Sequence, residues 1–209
     1  MSWLGSYRAN KPVEPGAKHC KSVRRDPTGG FGKDRPPPSA LKHLSAGTAN
    51  CTSWSSLVNG MSIKKFLRKT TCDVVFLQEH HLTKGNIAAA SAWAVQHGWK
   101  SIWTPAVITD DGGTSSGTAI FVKDVLGLTD EHVFEAASHR AIAGTLHYPG
   151  LPAIKLVSLY LESGAAPRGK SAILLNQVSD FLRGCKLDFI VGGDFNCSPN
   201  ALNELESTA

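Results

Sequence analysis

Seven short apolar blocks punctuate the chain from residue 44 onward, at 44–51, 73–78, 101–107, 118–123, 141–148, 154–161 and 187–191, with Gly, Pro, Asp and Ser between them. Runs of about four to eight apolar residues bounded by turn residues mark buried strands. Helical spacing is found only between some of the blocks. Leu57, Met61 and Phe66, with Ser55 as N-cap, predict one helix. The Ala-rich stretch 87–97, stopping at Gly98, predicts a second, and Leu174, Val178, Phe181 and Leu182, stopping at Gly184, a third. The expected class is α/β, with several consecutive strands in the middle.

Charge divides the chain differently. Residues 1–44 hold nine Lys/Arg against three acids, leaving 13 Lys/Arg and 14 acids for the rest, so the overall charge of +5 belongs to the N-terminal segment. That segment also carries six of the 11 prolines and shows no apolar periodicity. It reads as a disordered basic arm at 1–44 ahead of a domain at 45–209. Phosphate-backbone binding, or nuclear import through Lys21-Ser22-Val23-Arg24-Arg25, are functional readings of the arm; a solvated leader accounts for it better, because the basic residues cluster nowhere else.

No apolar run approaches the roughly 18 residues of a membrane span, so none is expected. The N-terminus has no apolar segment with a small-residue cleavage site, hence no signal peptide and an expected intracellular address, nuclear or cytoplasmic. Five cysteines at irregular spacing, with no Cys-x-x-Cys pair, point to reduced thiols.

The residues that could carry chemistry stand at the ends of the apolar blocks. In Asp188-Phe-Ile-Val-Gly-Gly-Asp194-Phe-Asn196, a strand runs into two glycines and then places Asp194 and Asn196 two residues apart. Strand periodicity can then turn both to one side, with Phe195 toward the core. Asp and Asn are also common turn residues, so the segment alone does not separate a turn from a site. A second block, 73–78, ends in Glu79-His80-His81 and sets a carboxylate at a strand's C-terminal end, where open α/β sheets bind ligands. Adjacent histidines on a strand face opposite sides, and no further Cys or His stands at ligand spacing, so zinc is not expected. Tyr160 closes the 154–161 block and Asn50 the first.

Taken together, these ends carry a resemblance. Asn50, Leu77-Gln78-Glu79, Gly117-Thr-Ala-Ile-Phe-Val122, Ser158-Leu-Tyr160 and Gly193-Asp194-Phe195-Asn196 resemble the endonuclease/exonuclease/phosphatase superfamily of magnesium-dependent phosphoesterases, over 44–203. Gln78-Glu79-His80-His81-Leu82 resembles the Gln-Glu-Thr-His-Leu of non-LTR retrotransposon endonucleases. Tyr160, where other branches place a histidine, points to the abasic-site and retrotransposon branch.

The resemblance implies a four-layer α/β sandwich, two packed β-sheets flanked by helices, with the site at the mouth formed by strand ends. It implies that Glu79 and Asn50 help bind Mg²⁺, with Mn²⁺ as the alternative. Tyr160 would contact the scissile phosphate, Asp194 would orient or deprotonate the attacking water, and Asn196 would hold phosphate and metal. The implied function is metal-dependent phosphodiester hydrolysis, with DNA the favoured nucleic-acid partner, as an endonuclease within a retrotransposon-type protein.

The superfamily pattern continues past its Gly-Asp-x-Asn motif with further strands, another Asp and a Ser-Asp-His, whereas here no histidine follows His147 and no aspartate follows Asp194. A fold incomplete at the C-terminus, weak or inactive alone, is therefore expected, with a completing C-terminal segment or a fused reverse transcriptase as partner. Cys51-Thr52 also departs from many DNA-acting relatives, which carry an acid two residues after the Asn. The alternatives are an inactive remnant that keeps a nucleic-acid-binding surface, and a phosphoesterase of the same superfamily acting on RNA, inositol phosphates or lipids.

Overall fold

Val74–Gln78 and Thr118–Lys123 are buried along almost their whole length, and a strand buried on both faces has to lie mid-sheet with a layer on either side. The computed structural model describes residues 43–55, 57–58, 61–135, 138–163, 168–198 and 200–202. Almost all of the basic arm therefore lies outside the described residues.

The strands and helices run β1 (Ala46–Asn50), β2 (Leu57–Val58), β3 (Met61–Ser62), α1 (Ile63–Lys69), β4 (Val74–Gln78), α2 (Lys84–Gln96) and β5 (Trp99–Trp103). They continue with β6 (Val107–Ile108), β7 (Thr114–Ser115), β8 (Thr118–Lys123), β9 (Gly127–Val133), β10 (Ala141–His147), β11 (Ile154–Tyr160), α3 (Lys170–Gly184) and β12 (Asp188–Asp194). One four-stranded sheet has the order β1-β4-β8-β5 and the other β12-β11-β10-β9. In each, two parallel strands form one side (β1 with β4, β11 with β12), and the other pairings are antiparallel.

Side-chain alternation sorts the core into three layers of contact. Val75, Leu77, Ala119 and Phe121 face outward onto Leu67 of α1 and Ala90 and Ala94 of α2. Val74, Phe76, Ile120 and Val122 face inward onto Ile142, Leu146 and Leu156 of the second sheet. The opposite face of that sheet, with Ala141, Ala143, Val157 and Leu159, packs on Leu174, Val178 and Leu182 of α3. Helices, sheet, sheet, helix is the four-layer α/β sandwich expected from the sequence. Each fully buried aliphatic or aromatic side chain contributes about 1.5–3 kcal/mol to it.

The expected helix at Ser55 is corrected. Leu57 and Met61 lie in the β2–β3 hairpin, and Ser62 is the real N-cap, its hydroxyl accepting the Lys65 N–H at 3.2 Å. The strand expected at 101–107 starts earlier, at Trp99, and ends at Trp103. β9 is an additional strand, an exposed edge whose polar residues hide it from apolar-block reading. Among the described residues no helix is long and apolar enough to cross a membrane.

Two glycines set the approach of β12. A Cβ on Gly192 would strike the Phe76 ring, and one on Gly193 would strike the Leu159 backbone carbonyl, so the pair lets β12 close onto both the opposite sheet and its neighbour β11.

Candidate active site

The parallel pairs β1/β4 and β11/β12 lie over one another at the same side of the sandwich, and all four strands end there. Asn50 ends β1, Glu79 follows β4, Tyr160 ends β11 and Asp194 ends β12. Tyr160 and Asp194 are register partners across the β11/β12 ladder. Four of the residues singled out in the sequence thus stand at one mouth, where these strands end.

The bonds at the mouth are specific. Asn50 Oδ1 accepts the Thr52 N–H at 3.1 Å, which leaves its Nδ2 to donate to Asp194 Oδ2 at 2.9 Å, across the sheets. Asp194 Oδ1 accepts the Asn196 N–H at 3.2 Å, so two N–H donors fix the carboxylate. The Tyr160 hydroxyl faces the Glu79 carboxylate. Burial first, then the facing Glu79 carboxylate and its charge, push the Tyr160 pKa well up, so its phenol holds its proton and acts as a donor at neutral pH.

Asn196 is present but differently engaged. Its backbone is left-handed (φ 47°), and its side-chain Nδ2 donates to the Leu161 carbonyl at 2.8 Å, locking the turn after β12 to the end of β11. Phe195 packs onto the apolar layer under α3, as the alternation predicts. His80 is fully buried: Nδ1 accepts the Leu82 N–H at 3.0 Å and Nε2 bonds the Thr104 carbonyl at 3.1 Å, so both ring nitrogens serve the fold.

Backbone strain collects here. Thr52, Glu79, His81 and Asn196 all have left-handed φ between 47° and 57° without being glycine. Such residues cost roughly 1–3 kcal/mol each and cluster at functional sites, where the surrounding structure holds them in place.

Arg140 and Glu162 extend the site, and the sequence reading did not single them out. The Arg140 guanidinium lies 5.0 Å from the Tyr160 ring centre, its Nη2 is 3.6 Å from Glu162 Oε1, and its Nη1 is buried with no hydrogen-bond partner. His139 beside it has its pKa lowered, by burial and then by the Arg140 and Lys170 charges. The available signal was a His-Arg pair directly before a strand buried along almost its whole length, where a charge has to be directed at something.

The donor chemistry fits a hard divalent cation. Glu79, Asp194 and the Asn50 and Asn196 amides offer oxygens, and magnesium commonly takes one or two protein carboxylates together with substrate phosphate. Among the described residues no group of three or more His, Cys, Asp or Glu side chains could form an all-protein cage.

A two-sheet α/β sandwich with such a strand-end site defines the class of α/β phosphoesterases, which includes nucleases and phosphatases. The chain belongs to the Endonuclease/Exonuclease/phosphatase family, whose model matches residues 54–203. Glu79, Tyr160, Asp194 and Asn196 fall inside the match and Asn50 just outside it. Members of the family are generally dependent on a divalent metal. No curated protein matches the chain.

Among solved structures, the chain is similar to ANGEL2, a 2',3'-cyclic phosphatase (19% identity, TM-score 0.49, covering 66% of this chain and 43% of that one). It is also similar to TDP2 from Caenorhabditis elegans (16%, TM-score 0.45, 66% and 42%) and to the AP endonuclease LMAP from Leishmania major (17%, TM-score 0.43, 66% and 45%). The matched region spans less than half the length of each.

Proposed function

We propose that this chain carries the cation- and phosphate-holding part of a phosphodiesterase site that acts on DNA, as an endonuclease of the retrotransposon type. The observation that supports it most is the meeting of Asn50 and Asp194 across the two sheets, 2.9 Å apart and 144 residues apart in sequence, beside Tyr160 and Glu79. A turn without chemistry gives no reason for four strand ends to direct polar groups at one point with strained backbone on both sides.

Glu79 and the Asn50 amide would hold Mg²⁺, or Mn²⁺ in its place. A bound cation there would stabilise charge developing on the phosphoryl oxygens and the leaving oxygen. Asp194, oriented by the Asn50 and Asn196 N–H groups, is the acceptor for a proton of the attacking water. Tyr160, kept protonated, donates to a phosphate oxygen of the substrate. The unpartnered Nη1 of Arg140 supplies a cationic donor beside it. Asn196 holds the turn that carries Asp194. DNA is favoured by the Gln78-Glu79-His80-His81-Leu82 run and by Tyr160. The basic residues of 1–44 would add backbone contacts from outside the described residues.

Calorimetric titration of the full chain with Mn²⁺, alone and with a short phosphodiester oligonucleotide, tests the reading. Binding that strengthens with the oligonucleotide and is lost in Glu79→Ala and Asp194→Ala is expected. Equal binding in wild type and both variants, or none with the oligonucleotide present, refutes it.

A further inference from the structure

Gln78 is out of character with its layer. By strand alternation it points the same way as Val74 and Phe76, into the apolar space between the sheets, and it is fully buried. An amide left unsatisfied there would cost roughly 1–3 kcal/mol. Its partners come instead from a neighbouring strand and from the opposite sheet. Thr48 Oγ1 on β1 donates to Gln78 Oε1 at 3.0 Å, and Gln78 Nε2 donates to Ser158 Oγ on β11 at 3.2 Å. Ser158 Oγ donates onward to the Leu77 carbonyl at 3.3 Å, which returns the chain of bonds to β4.

Each member stands one or two residues before a residue of the site: Thr48 before Asn50, Gln78 before Glu79, Ser158 before Tyr160. An aliphatic side chain at position 78 would fill the same space but would tolerate small slides of one sheet over the other. Directed bonds through a low-dielectric interior admit far fewer arrangements.

We propose that the Thr48–Gln78–Ser158 hydrogen-bond chain is a positioning device that fixes the separation and offset of the two sheets at the mouth, so that Asn50 and Glu79 on one sheet meet Asp194 and Tyr160 on the other. Gln78 is its centre and a positioning residue. That those four residues serve a cation and a phosphate rests on the proposed function; that the device sets their geometry does not.

The test uses the full chain and two variants. Gln78→Leu/Ser158→Ala removes the bond between the sheets while keeping the interior apolar and free of new orphans. Thr48→Val removes the donor to Gln78 from an exposed strand position, leaving the buried Gln78 Oε1 without that partner and Gln78 less firmly held against Ser158. Three readouts are taken: urea unfolding, Mn²⁺ affinity by electron paramagnetic resonance, and the Asn50 side-chain amide signals in ¹⁵N–¹H spectra, which report its bond to Asp194. Both variants are expected to unfold cooperatively. The Asn50 signals should collapse toward those of a solvated amide, and Mn²⁺ affinity should fall about tenfold, the size seen when residues behind metal ligands are removed.

Wild-type Asn50 signals with wild-type Mn²⁺ affinity in the variants overturn the proposal. So does an affinity loss with the Asn50 signals unmoved. Should the double variant lose cooperative unfolding, Thr48→Val decides by the same criteria. A wild-type chain that binds no Mn²⁺ refutes the proposed function instead, and the Asn50 signals still judge the device.

Discussion

Acidification should destabilise this protein through one buried imidazole. His80 Nδ1 accepts the Leu82 N–H, so the single ring proton lies on Nε2 and is donated to the Thr104 carbonyl. A second proton would set N–H against N–H, in a fully buried position with the Trp103 ring 5.1 Å away. Burial above all, with the His81 charge adding to it, lowers the His80 pKa from 6.5 to about 4, against the opposing pull of the Thr118 and Thr104 backbone bonds.

In the unfolded chain the ring binds its proton near 6.5 and in the folded chain only near 4, so between those values the unfolded state holds more protons. The stability supplied by neutral His80 is complete above 6.5, falls as pH drops toward 4, and levels off below. At about 1.4 kcal/mol per pH unit the loss is about 3 kcal/mol, a large part of a typical domain's stability. Urea unfolding of wild type and His80→Gln at about pH 7, 5.5 and 4 isolates it, because the carboxylates titrate in both. Wild type should lose about 3 kcal/mol more than the variant, which starts lower but flatter. A His80 imidazole signal titrating near 6.5 in the folded protein, or equal pH slopes for the two chains, would refute the reasoning.

Gly192→Ala should destabilise by about 1–3 kcal/mol, because its Cβ meets the Phe76 ring, whereas Gly85→Ala, with open space around it, should stay within about 0.5 kcal/mol; matched unfolding curves decide. Trp54→Ala should cost about 3–5 kcal/mol, since Trp54 is buried against Trp93, Trp103 and Phe121; an unfolding midpoint within error of wild type would count against that packing. The 209-residue chain should nick abasic or plasmid DNA weakly or not at all with Mg²⁺, as Asp194 is held by amide N–H groups and, among the described residues, bonds no imidazole. Robust cleavage abolished by Glu79→Ala and Asp194→Ala would sink that expectation. Deleting residues 1–44 should lower non-specific DNA affinity and flatten its salt dependence, since that segment carries the excess positive charge; an unchanged salt slope would show that the contact lies elsewhere.

The strands that position the site were legible because burial on both faces demands unbroken apolar runs, as in Val74–Gln78 and Thr118–Lys123. β9 was not, because an exposed edge strand needs no apolar pattern and Gly127–Val133 has little. The start of α1 was misread for a related reason: Leu57 and Met61 fit a helical spacing equally well, and only the hairpin they form shows that Ser62 is the cap. At the mouth, alternation pointed to Asp194, a strand's C-terminal end to Glu79, and the family resemblance to Asn50 and Tyr160. The engagement of the Asn196 amide by the Leu161 carbonyl depends on a left-handed turn that no local pattern announces. Arg140 stands just before a strand, and its relation to Tyr160 comes from pairing: the Arg140 carbonyl accepts the Tyr160 N–H at 2.8 Å.

The contact between Asn50 and Asp194 also orders events in time. During synthesis Asn50 is made 144 residues before the group it bonds, so the mouth cannot exist until β12 has been made and laid beside β11. Such long-range closure comes late and slowly compared with local structure. Any ion or nucleotide that occupies the mouth binds only the finished fold and therefore stabilises that state by mass action over every partly folded one. Occupancy of the mouth is thus a report that β12 has been laid beside β11.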